Sequence, residues 1–211
     1  QGNTYVINFT PFLMEDAHGV ARRLKANKEG NYKVDKSRSA LALKNTKAFP
    51  KNTEFEALLT FTGDPQGRNL RSVAPDASSV SVVQHHSFVT LPEDGYEVRA
   101  FDPRSGAIHR SYKDYSTPVQ DPIDKRIIVR HRLKKKNPEL AVSEPVEPII
   151  YYLDPGTPEP VRSALLEGAR WWNQAYESIG YKDAFQVKML PEDADPLDLR
   201  YNLIQWVHRS T

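Results

Sequence analysis

The residues able to do acid–base or metal chemistry in this 211-residue chain are its six histidines and 27 carboxylates, because it contains no cysteine. His85 and His86 stand side by side in Ser79 to Leu91, a run that reads as one long strand. The two-residue period places Val80, Val82, Gln84, His86 and Phe88 on one face, and Val83, His85, Ser87, Val89 and Leu91 on the other. Adjacent imidazoles on a strand diverge, so they cannot form a compact metal pair without a bulge. A structural or surface role and a weak metal site are the readings left open for them.

Other constellations carry less chemistry. Asp102 and Arg104 flank the turn Asp102-Pro103-Arg104-Ser105-Gly106 and fit a local ion pair with Asx-type capping. Glu192, Asp193, Asp195 and Asp198 alternate in part like a Ca2+ loop, without the glycine such a loop turns on. A solvated acidic loop, a loose cation site, and pairing with Arg200 or the Lys134-Lys135-Lys136 turn all remain open. Trp171 and Trp172 are about 100° apart on a helix. Trp172 is expected in the core, and Trp171 over the junction of two units or stacked on a ligand. His208 lies past a strand without partners for a metal. These residues assign no catalytic, cofactor-binding or metal-ligating position, and no cofactor to this chain.

Charge and hydropathy exclude some classes. The formal charge of +2 is too small to imply a polyanionic partner. Lys125 to Lys136 holds seven Lys or Arg and one His in twelve residues, but no nucleic-acid reading module or aromatic platform accompanies it. A solvated strand face, or internal pairing with acidic segments, accounts for that run. No nucleic acid is expected as a partner. No apolar run approaches the length of a transmembrane helix, so no transmembrane segment is expected. Lack of cysteine excludes disulfides without fixing a compartment.

The elements that must position these residues fall into two stretches. Thr4 to Thr10, Ser39 to Lys44, Glu54 to Thr62 (closed by the turn Gly63-Asp64-Pro65), Ser79 to Leu91, Gly95 to Phe101, Ala107 to Tyr112 and Lys125 to Leu133 read as strands. Leu13 to Lys25 can hold a short helix. The Gly95 strand is expected to pair with the Ser79 strand across Pro92-Glu93-Asp94. Leu140 to Pro148 reads as an extended linker, which sets a boundary near residue 145.

Beyond it, Ile149 to Leu153, a helix from Pro158 to Ser178, and strands at Phe185 to Leu190 and Arg200 to Val207 alternate as an α/β layer. Thr157 is expected to cap the helix and Gly180 to close it. Gly168 is expected to allow close packing. The fold class is thus α+β: an antiparallel sheet-rich unit over 1–145, then an incomplete strand–helix–strand–strand layer over 146–211.

Several runs carry a resemblance. They are Tyr151-Tyr152-Leu153-Asp154, Glu167 to Glu177 (EGARWWNQAYE), Gly180-Tyr181, Leu190 to Asp198 (LPEDADPLD) and Arg200 to Val207 (RYNLIQWV). The segment resembles the start of a metzincin-type zinc metallopeptidase domain, in a bacterial branch of large predicted zinc-dependent proteases. Phe49-Pro50-Lys51-Asn52, His85-His86-Ser87-Phe88, Arg99 to Gly106 and Arg130-His131-Arg132-Leu133 resemble the uncharacterised domain that precedes it.

The resemblance implies a Zn2+ site and peptide-bond hydrolysis of a peptide or protein substrate in the full-length protein. It also implies periplasmic, outer-surface or secreted localisation, and the remainder of the catalytic domain as a partner, which His85 or His86 could touch. Metzincins bind zinc through an HExxH helix and a third histidine. No HExxH occurs here, so the chain itself is expected to be an inactive fragment cut before the zinc helix. The alternative is a noncatalytic scaffold or protein-binding module of an exported bacterial protein.

Overall fold

The computed structural model describes residues 2, 5–92 and 95–207. The described chain has a mixed α+β architecture, with an antiparallel sheet-rich N-terminal region followed by alternating helices and strands. It divides into two compact units. One holds the chain up to Thr90 together with Leu197–Leu199, and the other holds the remainder. The division at Thr90 falls inside the 1–145 stretch.

The first unit contains α1 (Thr10–Leu13), α2 (Val20–Ala26), β1 (Gly30–Leu41), β2 (Lys47–Ala48), β3 (Asn52–Pro65), α3 (Arg68–Val73) and β4 (Ser79–Val89). β3 is the spine: β4 pairs antiparallel with it from Asn52↔Val89 to Thr62↔Ser79, and β1 and β2 share its other edge. Odd-numbered Ala57, Leu59 and Phe61 of β3 are almost fully buried, and with Tyr32 and Leu70 they form the core. Met14, Val20, Ala21 and Leu24 pack onto that core from the segment carrying α1 and α2. Even-numbered positions of β3 face the other way and are largely polar.

Local chemistry fixes the ends of these elements. Asp16 accepts from the N–H groups of Val20 (2.7 Å) and Ala21 (3.0 Å) and so starts α2. Buried Glu29 accepts from the Leu70 N–H at 3.0 Å, inside the first turn of α3. Gly30 has a φ of +140°, and a Cβ there would lie 2.3 Å from the Asp64 carbonyl oxygen, so only glycine fits. Between Asp35 and Ala40 the β1–β3 register slips. The bulge is held by Ser39, whose hydroxyl donates to Asp35 O (2.7 Å) and accepts from Thr60 N (3.0 Å), and by Thr60, which donates to Arg38 O (2.8 Å).

The second unit opens with the hairpin β5 (His109–Lys113) and β6 (Asp124–Ile128). Then come β7 (Ile149–Leu153), α4 (Val161–Arg170), α5 (Trp172–Glu177), β8 (Phe185–Met189) and β9 (Asn202–Ile204). β7 is the centre of a parallel three-stranded sheet ordered β8-β7-β9, with α4 and α5 packed against β8. Ile149, Leu153 and Val187 are its buried anchors.

Several sequence expectations are corrected. Residues 5–9 form no strand, and Thr10 begins a helix; Thr4 lies outside the described residues. Gly63 to Pro65 continue β3 rather than turning, because β1 pairs with them. Gly95 to Phe101 is irregular, touching β6 through a bridge from Ala100 to Ile127, and β4 pairs with β3 instead. The expected long helix breaks at Trp171 into α4 and α5. Thr157 is fully buried, yet its hydroxyl makes no hydrogen bond and caps nothing, while Glu159 accepts from Ser163 N at 3.2 Å. Gly180, with a φ of +83°, does end the helix. A Cβ at Gly168 would meet nothing within 4 Å, so no close packing explains that glycine.

Candidate functional site

The β3–β4 ladder carries two histidine-centred clusters back to back. In register, Glu54 lies opposite Ser87, Phe55 opposite His86, Glu56 opposite His85 and Ala57 opposite Gln84. Opposed residues of an antiparallel pair share a face. His85 therefore joins Glu54, Glu56 and Ser87, while His86 joins Phe55 and Gln84 on the core side. The divergence expected of adjacent strand residues is what the structure has.

On the polar face Glu54 is the hub. Its side chain is only 2% exposed, yet its oxygens accept from His85 Nε2 (2.6 Å), Ser87 Oγ (2.6 Å) and the Asn52 amide. Burial pushes its carboxyl up, but the hydrogen bonds from Ser87, Asn52 and His85 outweigh this and hold it below the usual carboxylate value. Glu56 approaches the other imidazole nitrogen, His85 Nδ1, at 3.3 Å and accepts from Asn45 Nδ2 at 2.5 Å. The Asn45 bond, then the one from His85, lowers its carboxyl. Asn52 also donates to Leu197 O (2.8 Å) and accepts from Leu199 N (3.0 Å).

This arrangement is a closed network. Ser87 bonds to the carboxylate rather than to the imidazole, so the three side chains do not line up as a hydroxyl–imidazole–carboxylate relay. Composition gave no signal for it. Glu54, Glu56 and Asn52 become findable only once the β3–β4 register is known.

On the opposite face, Gln84 Nε2 donates to Glu15 O at 3.0 Å and lies 2.8 Å from His86 Nε2. The His18 and His86 rings stack at 5.5 Å, and Phe9, Phe12, Phe55 and Phe88 crowd around them. Burial, then the nearby His18 and His85, push the His86 imidazole below its ordinary value.

In the second unit, a solvent-open cavity of about 280 Å³ lies over the parallel sheet, lined by His131, Tyr151, Ala169, Trp172, Phe185 and Ile204. The Tyr151 and Phe185 rings are 5.5 Å apart, and Tyr176 lies parallel to Phe185 at 6.0 Å. Trp172 lines the cavity but is 65% exposed, and Trp171 is 63% exposed. The expected burial of Trp172 is corrected: its indole sits at the mouth of an open cavity and is mostly in solvent, as is that of Trp171.

The remaining candidates are dispersed. Asp102 holds Arg104 in an exposed two-residue ion pair at 2.7 Å and accepts from its N–H at 2.9 Å, the local pairing expected. Glu192 and Asp193 are exposed, whereas Asp198 is buried with the first unit, so the four carboxylates do not form one solvated loop. Within the basic run, Lys135 donates to Ala141 O (2.7 Å) beneath the Tyr181 ring, and Arg130 donates to Glu97 O (2.5 Å) over Tyr96. Backbone carbonyls and aromatic faces, not acidic segments, hold these two cations. His208 lies outside the described residues. Among the described residues no three His, Asp or Glu side chains converge to hold a metal, and no helix is long and apolar enough to cross a membrane.

No curated protein and no solved structure matches the chain. Residues 1–136 match a family described as Domain of unknown function (DUF5117). That match covers well over half of the sequence, through both histidine clusters and the β5–β6 hairpin, and the chain belongs to the DUF5117 family.

Proposed function

We propose that this chain is a noncatalytic protein-binding module of an exported bacterial protein. The observation that carries this reading is the aromatic cavity of the second unit. Tyr151, Trp172 and Phe185 present large apolar faces at an opening that water reaches. Exposed aromatics around a concave apolar floor favour contact with another polypeptide. The polar cluster of the first unit argues the same way, because His85 and Ser87 are both engaged by the Glu54 carboxylate.

The test is selection of short peptides from a random display library against the purified chain, followed by titration of the winners into wild type and Trp172→Ala. Selected peptides rich in apolar or aromatic residues, binding at least about tenfold more weakly to the variant, support the module. Peptides whose affinity ignores Trp172→Ala sink it.

A second reading is that the chain forms part of a zinc-dependent endopeptidase. What favours it is the succession β7, α4–α5, β8, β9, the strand–helix–strand–strand order that the resemblance implies. Among the described residues no three His, Asp or Glu side chains converge, so this reading takes its zinc ligands from elsewhere in the protein. Reading the gene downstream for HExxH with a third histidine decides this point. Its presence supports the peptidase parent, and its absence leaves the binding module.

A further inference from the structure

We propose that Gln84 and His86 form a pH-sensitive latch that holds the α1 segment on the β3–β4 face at neutral pH and releases it on acidification.

Gln84 is 5% exposed, and its Nε2 lies 3.0 Å from the carbonyl oxygen of Glu15 and 3.5 Å from that of Leu13. Two backbone carbonyls can only accept, so the atom facing them must be the NH2 group. Rotating the amide would set its oxygen against both acceptors. The orientation of Gln84 is therefore set by the chain just after α1.

That choice dictates the state of His86. Its Nε2 lies 2.8 Å from the same NH2 group. A donor nitrogen requires an acceptor, so His86 Nε2 carries a bare lone pair and the ring is neutral with its proton on Nδ1. Protonation would turn the contact into donor against donor, with no flip available to relieve it.

The surroundings reinforce this. His18, from the α1–α2 connection, stacks at 5.5 Å and would repel an imidazolium. Phe12 of α1 and Phe55 of β3 bring no charge. Glu15 offers its carbonyl, while its carboxylate is paired with Lys36 at 2.5 Å. His85 points to the other face, between Glu54 and Glu56. Among the described residues no carboxylate on this face bonds to His86, and burial already depresses its proton affinity.

The segment held this way is short. Leu13 N–H donates to Phe9 O and Met14 N–H to Thr10 O, and Phe9 and Phe12 lie on Phe88 and His86. Four residues of helix do not persist alone in water. Once Gln84 and His86 let go, the Leu13 and Glu15 carbonyls lose their side-chain donor and Phe12 its contact with the His86 ring, which leaves the segment held by Leu13 and the Phe55 and Phe88 rings alone.

The experiment is amide hydrogen exchange of the whole chain at about pH 7.5 and about pH 5, corrected for intrinsic rates, on wild type and His86→Phe. In wild type, acidification is expected to speed exchange of the Leu13, Met14 and Glu15 amides on the order of tenfold while β3 amides stay protected. In His86→Phe, which keeps an aromatic ring but cannot titrate, that acceleration disappears. Equal acceleration in both proteins, or none in wild type, overturns the latch. If the variant does not fold, 15N chemical shifts of the His86 ring in wild type decide. A bare Nε2 at neutral pH supports the latch, and a protonated Nε2 overturns it.

Discussion

The buried carboxylate of Glu54 on β3 stands 2.6 Å from His85 Nε2 on β4, two residues along β4 from Ser87, which lies directly opposite it. This diagonal bond ties two strands through side chains as well as backbone, with the carboxylate end buried and the imidazole end partly open to water. Removing the carboxylate in Glu54→Ala strands Ser87, Asn52 and His85 together and is expected to cost about 3–5 kcal/mol in chemical denaturation. Glu54→Gln keeps the shape and some acceptors and is expected to cost about 1–3 kcal/mol. A loss near zero for the alanine variant would mean the network carries no stability.

Acid should weaken the first unit in two stages. Unfolded His86 takes up its proton near 6.5, whereas the folded ring, desolvated and beside His18 and His85, resists until lower pH. Below 6.5 the unfolded chain binds more protons, so stability falls as pH drops through that window. Glu54 behaves as a depressed carboxylate: its contribution is complete above 4.5 and is lost as pH falls through the lower folded value. Denaturation curves across pH should show both stages, with His86→Phe removing the first and Glu54→Gln reducing the second.

Trp172→Ala is expected to change stability by less than about 1 kcal/mol, because the indole is mostly in solvent. A loss of 3 kcal/mol or more, on the scale of a buried aromatic, would place that ring in a core.

Two glycines of opposite character give opposite signs. Gly168→Ala in α4 meets open space and removes a poor helix former, so stability should rise by about 1 kcal/mol. Gly30→Ala forces a side chain into a φ of +140° and against the Asp64 carbonyl, and should cost about 1–3 kcal/mol. Thermal melts of the two variants moving in the same direction would contradict both assignments.

How far the sequence foretells this structure depends on the length of each pattern. Ser79 to Val89 and Ile149 to Leu153 are legible because dense β-branched and aromatic residues leave no competing period. Thr4 to Thr10 reads the same way, yet residues 5–9 are irregular and Phe9 packs its ring against Phe55 and Phe88 instead of pairing in a ladder. The opposition of His85 and His86 follows from alternation alone. Their partners do not: Glu54 and Glu56 lie some thirty residues away, and only the β3–β4 register brings them to His85. Trp172 is misjudged because three- and four-residue spacing marks the apolar face of a helix without saying how much of it a neighbour covers, and here the indole is left at an open cavity.

The slipped register of β1 has a consequence for how copies of this protein meet. An outer strand with regular spacing is a template onto which another chain can add. Here the excursion from Lys36 to Ser39 interrupts that spacing, and it places Lys36 and Arg38 where an incoming strand would need to lie flat. Ser39 and Thr60 fasten the excursion from within, so it cannot straighten without breaking their bonds. The same few residues that complete the sheet on the inside make its rim a poor seed for fibre growth.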